Sequence, residues 1–157
     1  MKVFLSHSFS CIVLLLIAGV WWLSGHHGSD WWWLSAGLVS GALLWWLDRW
    51  RGGHYAQHWL QVSEPILISR SLVTLGVVAG LTFYLMTSTG SLLGIGVCIA
   101  LMIQAAVEMS HYRLQPDQFK ARFLWQVKVK EWSPTIQNRL IYSFYFLTAL
   151  LVALLWV

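Results

Sequence analysis

The chain has 157 residues, of which 58% are hydrophobic and only 10% charged, with a net charge of +4. An ordinary soluble domain carries about 25% charged residues, so water cannot solvate the surface of this one. Lipid can, and the twelve Trp residues suit a bilayer, whose interfaces attract indole rings.

Five continuous apolar stretches follow in chain order, at 3–23, 31–50, 66–87, 91–108 and 140–157. Each approaches the ~20 residues that span a hydrocarbon core of ~30 Å. Backbone groups in lipid are satisfied only in helices or closed barrels, and continuous stretches without alternation indicate helices. The sequence therefore predicts an all-α membrane bundle of five transmembrane helices in a single domain. The first stretch reads as an uncleaved helix, because Trp21, Trp22 and Leu23 stand where a signal peptide needs small residues. The second carries Gly37 and Gly41. The third is expected to start at Ser63-Glu64-Pro65, with Ser as N-cap and Pro in the first turn, and it carries Gly76 and Gly80. Ser88-Thr89-Gly90-Ser91 reads as a tight reversal into the fourth stretch, which carries Gly94 and Gly96 with Gly90 just ahead of it. Ser133-Pro134 marks the start of the last helix.

Orientation comes from the basic residues. Lys2 precedes the first stretch. Arg49, Arg51 and Arg70 flank the second connection, and Arg113, Lys120, Arg122, Lys128, Lys130 and Arg139 lie between the last two stretches. All fall on one side, which marks it as cytoplasmic, with the N-terminus inside and the C-terminus outside. The location expected is a bacterial inner membrane. Trp21, Trp22, Trp31, Trp32, Trp33 and Trp156 fall at the outer boundary; Trp45, Trp46, Trp50, Trp59, Trp125 and Trp132 fall at the inner one.

Packing inside lipid relies on close approach of small residues. The pairs Gly37/Gly41, Gly76/Gly80 and Gly90/Gly94 are therefore expected at helix–helix faces or at a partner. Two amphipathic segments are expected on the cytoplasmic surface. One is a short helix with Tyr55, Trp59 and Val62 on one stripe. The other has Phe119, Phe123 and Val127 among basic residues. Such segments lie on anionic lipid with their apolar side chains down, which explains the net charge without nucleic acid.

Candidate chemistry collects at the inner boundary. Asp48, His54, His58, Glu108 and His111 offer a metal-ligand set, since Glu108 and His111 are three apart on one helix face. The competing reading makes Asp48 and Glu108 interfacial anchors paired with Arg49, Arg70, Arg113 or His111. No charge is expected deep in the bundle, where Thr74, Thr82 and Gln104 are the modest polar candidates. No cofactor is expected: histidines do not face each other in the spans as haem requires, and no phosphate-binding glycine loop is present. Cys11 and Cys98 lie in apolar stretches and read as small buried residues.

The segment Thr87-Ser88-Thr89-Gly90-Ser91-Leu92-Leu93-Gly94-Ile95-Gly96 precedes an apolar helix closing on Glu108. With Phe123-Leu124-Trp125-Gln126 and a final helix, it resembles a group of uncharacterised small multi-pass bacterial membrane proteins. In that group a basic residue often stands at the place of Ile95 and a His at the place of Gln104, and this chain has neither. The resemblance implies membrane location. The functional expectation is a non-enzymatic scaffold or accessory subunit, as a homo-oligomer or in a larger complex. The alternatives are a small oligomeric transporter or lipid-handling protein, and a membrane enzyme with a cytoplasmic-face metal site.

Overall fold

The computed structural model describes residues 2–25, 28–59, 68–124 and 133–156, with residues 2–9, 49, 51–59 and 68 described by backbone alone. The architecture is all-α. Helix α1 spans Lys2–Leu23, α2 Ser29–Trp59, α3 Leu72–Tyr84, α4 Leu92–His111, α5 Pro116–Phe123 and α6 Pro134–Leu154. A 3-10 turn at Ile68–Arg70 leads into α3, and a π turn at Leu85–Thr89 extends it. Three helical segments are long and apolar enough to cross a membrane: Leu72–Thr89, Leu92–His111 and Pro134–Leu154. The described part of α1 adds a shorter apolar stretch, Ser10–Leu23. These helices make the chain a membrane protein by length and composition.

Helix α4 is the axis. It packs against α1, α2, α3 and α6, and 61% of its apolar length is buried, against 17% for α3 with its π turn. One core cluster joins Leu34, Leu38, Ile95, Ile99 and Ile103. The other joins Leu75, Ala79, Met102, Met109, Ile141 and Phe144. Outward side chains are apolar as well: Val73, Val77, Leu81, Leu150 and Phe146 stand exposed. Lipid hydrocarbon, or a partner helix within it, makes such a surface favourable.

Several boundaries differ from expectation. Helix α2 runs on without a break through Gly52 and Gly53 to Trp59, so Tyr55 and Trp59 belong to it and form no separate surface helix. Its 31 residues reach about 46 Å, more than a hydrocarbon core. Helix α3 begins at Leu72, where the Ser71 hydroxyl caps it by accepting from the Val73 N–H. The expected start at Ser63-Glu64-Pro65, and Val62, lie outside the described residues. The π turn closes through the Gly90 N–H, which donates to the Leu85 carbonyl at 2.8 Å, with Gly90 in the left-handed region at φ +60°. The N-cap of α6 is Ser133, which accepts from Ile136 N–H ahead of Pro134.

Helix α5 departs from the expected surface segment. Phe119 and Phe123 are fully buried and pack on each other at 4.9 Å between centroids. They join the core cluster with Met109 and Tyr112 and do not face lipid. The reason is local: the short α4–α5 turn folds α5 back onto the end of α4. Burying each ring contributes about 1.5–3 kcal/mol. Val127, Lys128 and Lys130 lie outside the described residues.

Candidate functional site

Helices α1, α2, α3, α4 and α6 alternate in direction, and this sorts the molecule into two ends. At one end the C-terminus of α1, the N-terminus of α2 and the C-terminus of α6 meet through aromatic rings. Trp21 lies 5.1 Å from Trp156 and Trp22 5.2 Å from Trp31, between ring centroids. Trp31 also donates its indole N–H to the Ala18 carbonyl at 3.0 Å. Trp22 and Trp156 remain exposed, as an interfacial belt needs, while Trp31 is half-buried and Trp21 buried. At the opposite end Trp46 and Trp50 stack outward. Trp45 is buried there, under a cation. Trp125 and Trp132 lie outside the described residues.

That cation is Arg70, and it overturns the expectation of a bundle without internal charge. Its side chain is only 1% exposed, with Nε 2.7 Å from Oε2 of Glu108. The guanidinium sits over the Trp45 ring, 5.1 Å from its centroid. The other oxygen of Glu108 accepts from Arg122 Nη1 at 3.4 Å. Arg122 in turn lies 4.5 Å from the centroid of the Tyr112 ring. A carboxylate thus holds two arginines, one brought by the turn before α3 and one by α5. Removing either member of a buried pair strands the other charge in low dielectric, which is far costlier than the pair itself.

The proposed metal-ligand residues take separate positions. Asp48 Oδ2 accepts from both the backbone N–H and the hydroxyl of Ser69, tying α2 to the turn before α3. Glu108 is engaged by the arginines. His111 is half-buried, its ring edge-on to Tyr112 at 5.1 Å. Among the described residues no group of three His, Cys, Asp or Glu side chains is placed to hold an ion. The side chains of His54 and His58 lie outside the described residues. Glu108 does pair with Arg70, one of the partners expected for it; Arg113 instead donates from Nε to Asn138 Oδ1 at 2.9 Å.

The glycines divide. A Cβ on Gly37 would stand 2.2 Å from the Leu93 carbonyl oxygen, and one on Gly41 2.6 Å from that of Val97. Their counterpart on α4 is Gly96, whose Cα lies 3.0 Å from a Cβ built on Gly37. By contrast Gly76, Gly80 and Gly90 have nothing within 4 Å of an added Cβ. Within the chain these three make no close helix–helix approach: Leu75, Ala79 and Thr82 are the buried face of α3, and Gly90 stands in the turn at φ +60°. A Cβ on Gly94 would stand 2.9 Å from a methyl of Leu85.

Two polar contacts escaped the sequence reading. The Ser10 hydroxyl on α1 donates to Gln104 Oε1 on α4 at 2.8 Å, fully inside the bundle. Gln137 donates from Nε2 to the carbonyls of Tyr112 and Arg113 at 3.2 and 3.0 Å, closing the C-terminal end of α4. Arg70 did leave a signal, since it lies inside the apolar stretch of 66–87, where a charge calls for a partner.

No protein-family model, curated protein or solved structure matches the chain.

Proposed function

We propose that the chain is a five-span protein of the bacterial inner membrane, N-terminus inside and C-terminus outside, acting without catalysis as a scaffold or accessory subunit. The observation that carries this reading is the mutual pairing of the acidic and amide side chains described inside the bundle. Glu108 is held by Arg70 and Arg122, Gln104 by Ser10, and Asp48 by Ser69. Catalytic and transport sites keep polar groups free to meet a substrate. Glu108 and Gln104 tie α1, α5 and the turn before α3 to α4, and Asp48 ties α2 to that same turn. A metal-dependent membrane enzyme would need Glu108 as a ligand, and that carboxylate already carries two cations.

Two further features support the reading. The alternating helix directions bring Trp21, Trp31 and Trp156 to one end and Arg70, Arg113 and Arg122 to the other, as a bilayer with a basic cytoplasmic side requires. The outward face of α3 also leaves Gly76 and Gly80 bare, so that face offers a partner helix close backbone approach.

The test is purification from the native host in mild detergent, with co-purifying proteins identified and metals quantified. A partner at fixed stoichiometry, without stoichiometric metal, is the expected result. A lone chain carrying one metal ion that is lost in a Glu108→Ala variant would replace this reading with the enzymatic one.

A further inference from the structure

At the basic end, a cavity of about 420 Å³ opens between the end of α4 and the starts of α5 and α6. Its lining is Ser110, Arg113, Leu114, Pro116, Pro134, Gln137 and Asn138. Among the described residues the charge is one-sided: Arg113 is cationic, and no carboxylate lines the space. Asp117, in the first turn of α5, is not part of the wall.

The groups are arranged for an anion. Asn138 Oδ1 accepts from Arg113 Nε, which fixes the guanidinium plane and turns the amide so that its NH2 remains a donor. Among the described residues the two Nη groups of Arg113 meet no hydrogen-bond acceptor, which leaves a fork whose geometry matches phosphate oxygens. Helices α5 and α6 both start at the cavity, with Pro116 and Pro134 in their first turns, so two positive dipole ends flank it. The negative end of α4 is also close. Gln137 offsets it by donating to the carbonyls of Tyr112 and Arg113.

The surroundings indicate which anion. Leu114 at the cavity lip is 90% exposed, which suits acyl chains far better than water. From Asn138 the i+4 row along α6 runs through Tyr142, Phe146 and Leu150, all exposed on one face. Arg113 lies over the Tyr142 ring, 5.2 Å from its centroid. A polar head site thus continues directly into an apolar track of helix length.

We infer that this cavity holds the phosphate headgroup of an anionic phospholipid, gripped by Arg113 and Asn138, with an acyl chain along Tyr142, Phe146 and Leu150. This rests on the membrane orientation proposed above. A zwitterionic lipid is the poorer occupant, because its ammonium group finds no carboxylate among the described residues of the wall.

The test is native mass spectrometry of the full chain in detergent, mixed in turn with phosphatidylglycerol, phosphatidylcholine and inorganic phosphate. One phosphatidylglycerol per chain is expected to be retained in preference to phosphatidylcholine. Arg113→Gln should weaken it at least about tenfold, as loss of charge-assisted bonds does. Asn138→Ala should weaken it about threefold. Arg139→Gln, the same charge change one residue outside the cavity, should leave it unchanged. Unchanged retention in both Arg113→Gln and Asn138→Ala would overturn the site. So would equal loss in Arg139→Gln, which signals diffuse attraction. Inorganic phosphate that displaces the lipid at equal concentration would overturn the lipid as occupant. If Arg113→Gln lowers the melting temperature, Asn138→Ala carries the comparison. A wild-type chain that leaves membranes only with detergent, yet retains both lipids equally, overturns the site and leaves the membrane reading intact. A chain absent from the membrane fraction overturns both.

Discussion

Gly37 and Gly41 on α2 share their four-residue spacing with Gly76 and Gly80 on α3, yet their surroundings are opposite. The first pair touches the α4 backbone through Leu93, Gly96 and Val97, and the second faces open space. The difference lies in the partner. Helix α4 offers α2 a matching small surface at Gly96 and Ala100. It meets α3 through Leu75, Ala79 and Thr82 and through the Arg70–Glu108 ion pair. Spacing of small residues marks where helices can approach, and complementarity on the facing helix decides where they do.

The largest effect that would sharpen this comparison is at Gly96. Gly96→Leu drives a side chain into the Leu34 carbonyl and the backbone at Gly37 and Leu38. We expect a loss of more than about 3 kcal/mol, beyond ordinary overpacking because backbone cannot repack as side chains do. Detergent-resistant folding, followed by thermal melting, reads it. A Gly96→Leu chain that melts like wild type would break the α2–α4 seam as described.

Next in size is Glu108. Glu108→Ala leaves Arg70 buried without its carboxylate, at a cost of about 3–5 kcal/mol. Replacing both Arg70 and Glu108 with Leu should recover a large part of that loss, since an apolar pair needs no mutual compensation. Thermal melting of the single and double variants measures the difference. A double variant worse than Glu108→Ala would show that the pair does more than hold α3 to α4.

A smaller effect is expected at Ser10, where Ser10→Ala removes the bond to Gln104 and costs about 1 kcal/mol. Protease accessibility of α1 should rise accordingly. The smallest belongs to the open pair. Gly76→Ala and Gly80→Ala each meet no neighbour, so the purified chain should gain up to about 1 kcal/mol from the better helix former. If the same substitutions displace a co-purifying protein, the bare face of α3 is where that protein sits.

The helices were legible because a span needs only length and apolar content, and 91–108 and 140–157 correspond closely to α4 and α6. The capping Ser133 and the turn at Gly90 were readable as local chemistry. Burial of Arg70 was not, because a residue near the end of an apolar stretch can point to water or inward, and only the facing Glu108 decides. The same holds for Phe119 and Phe123, whose stripe fits lipid or a protein core equally until the α4–α5 turn is known. The asymmetry of basic residues indicated which end is charged, but the cavity at Arg113 is built from three helices and has no local pattern.

The claim on which the account turns is that the Arg70, Arg113 and Arg122 end faces the cytoplasm of a five-span protein. Paired reporters fused after Val157 test it directly. A phosphatase that works only outside should be active there, and a fluorescent protein that matures only inside should be dark. A bright fluorescent fusion with an inactive phosphatase would place the C-terminus inside and contradict the account.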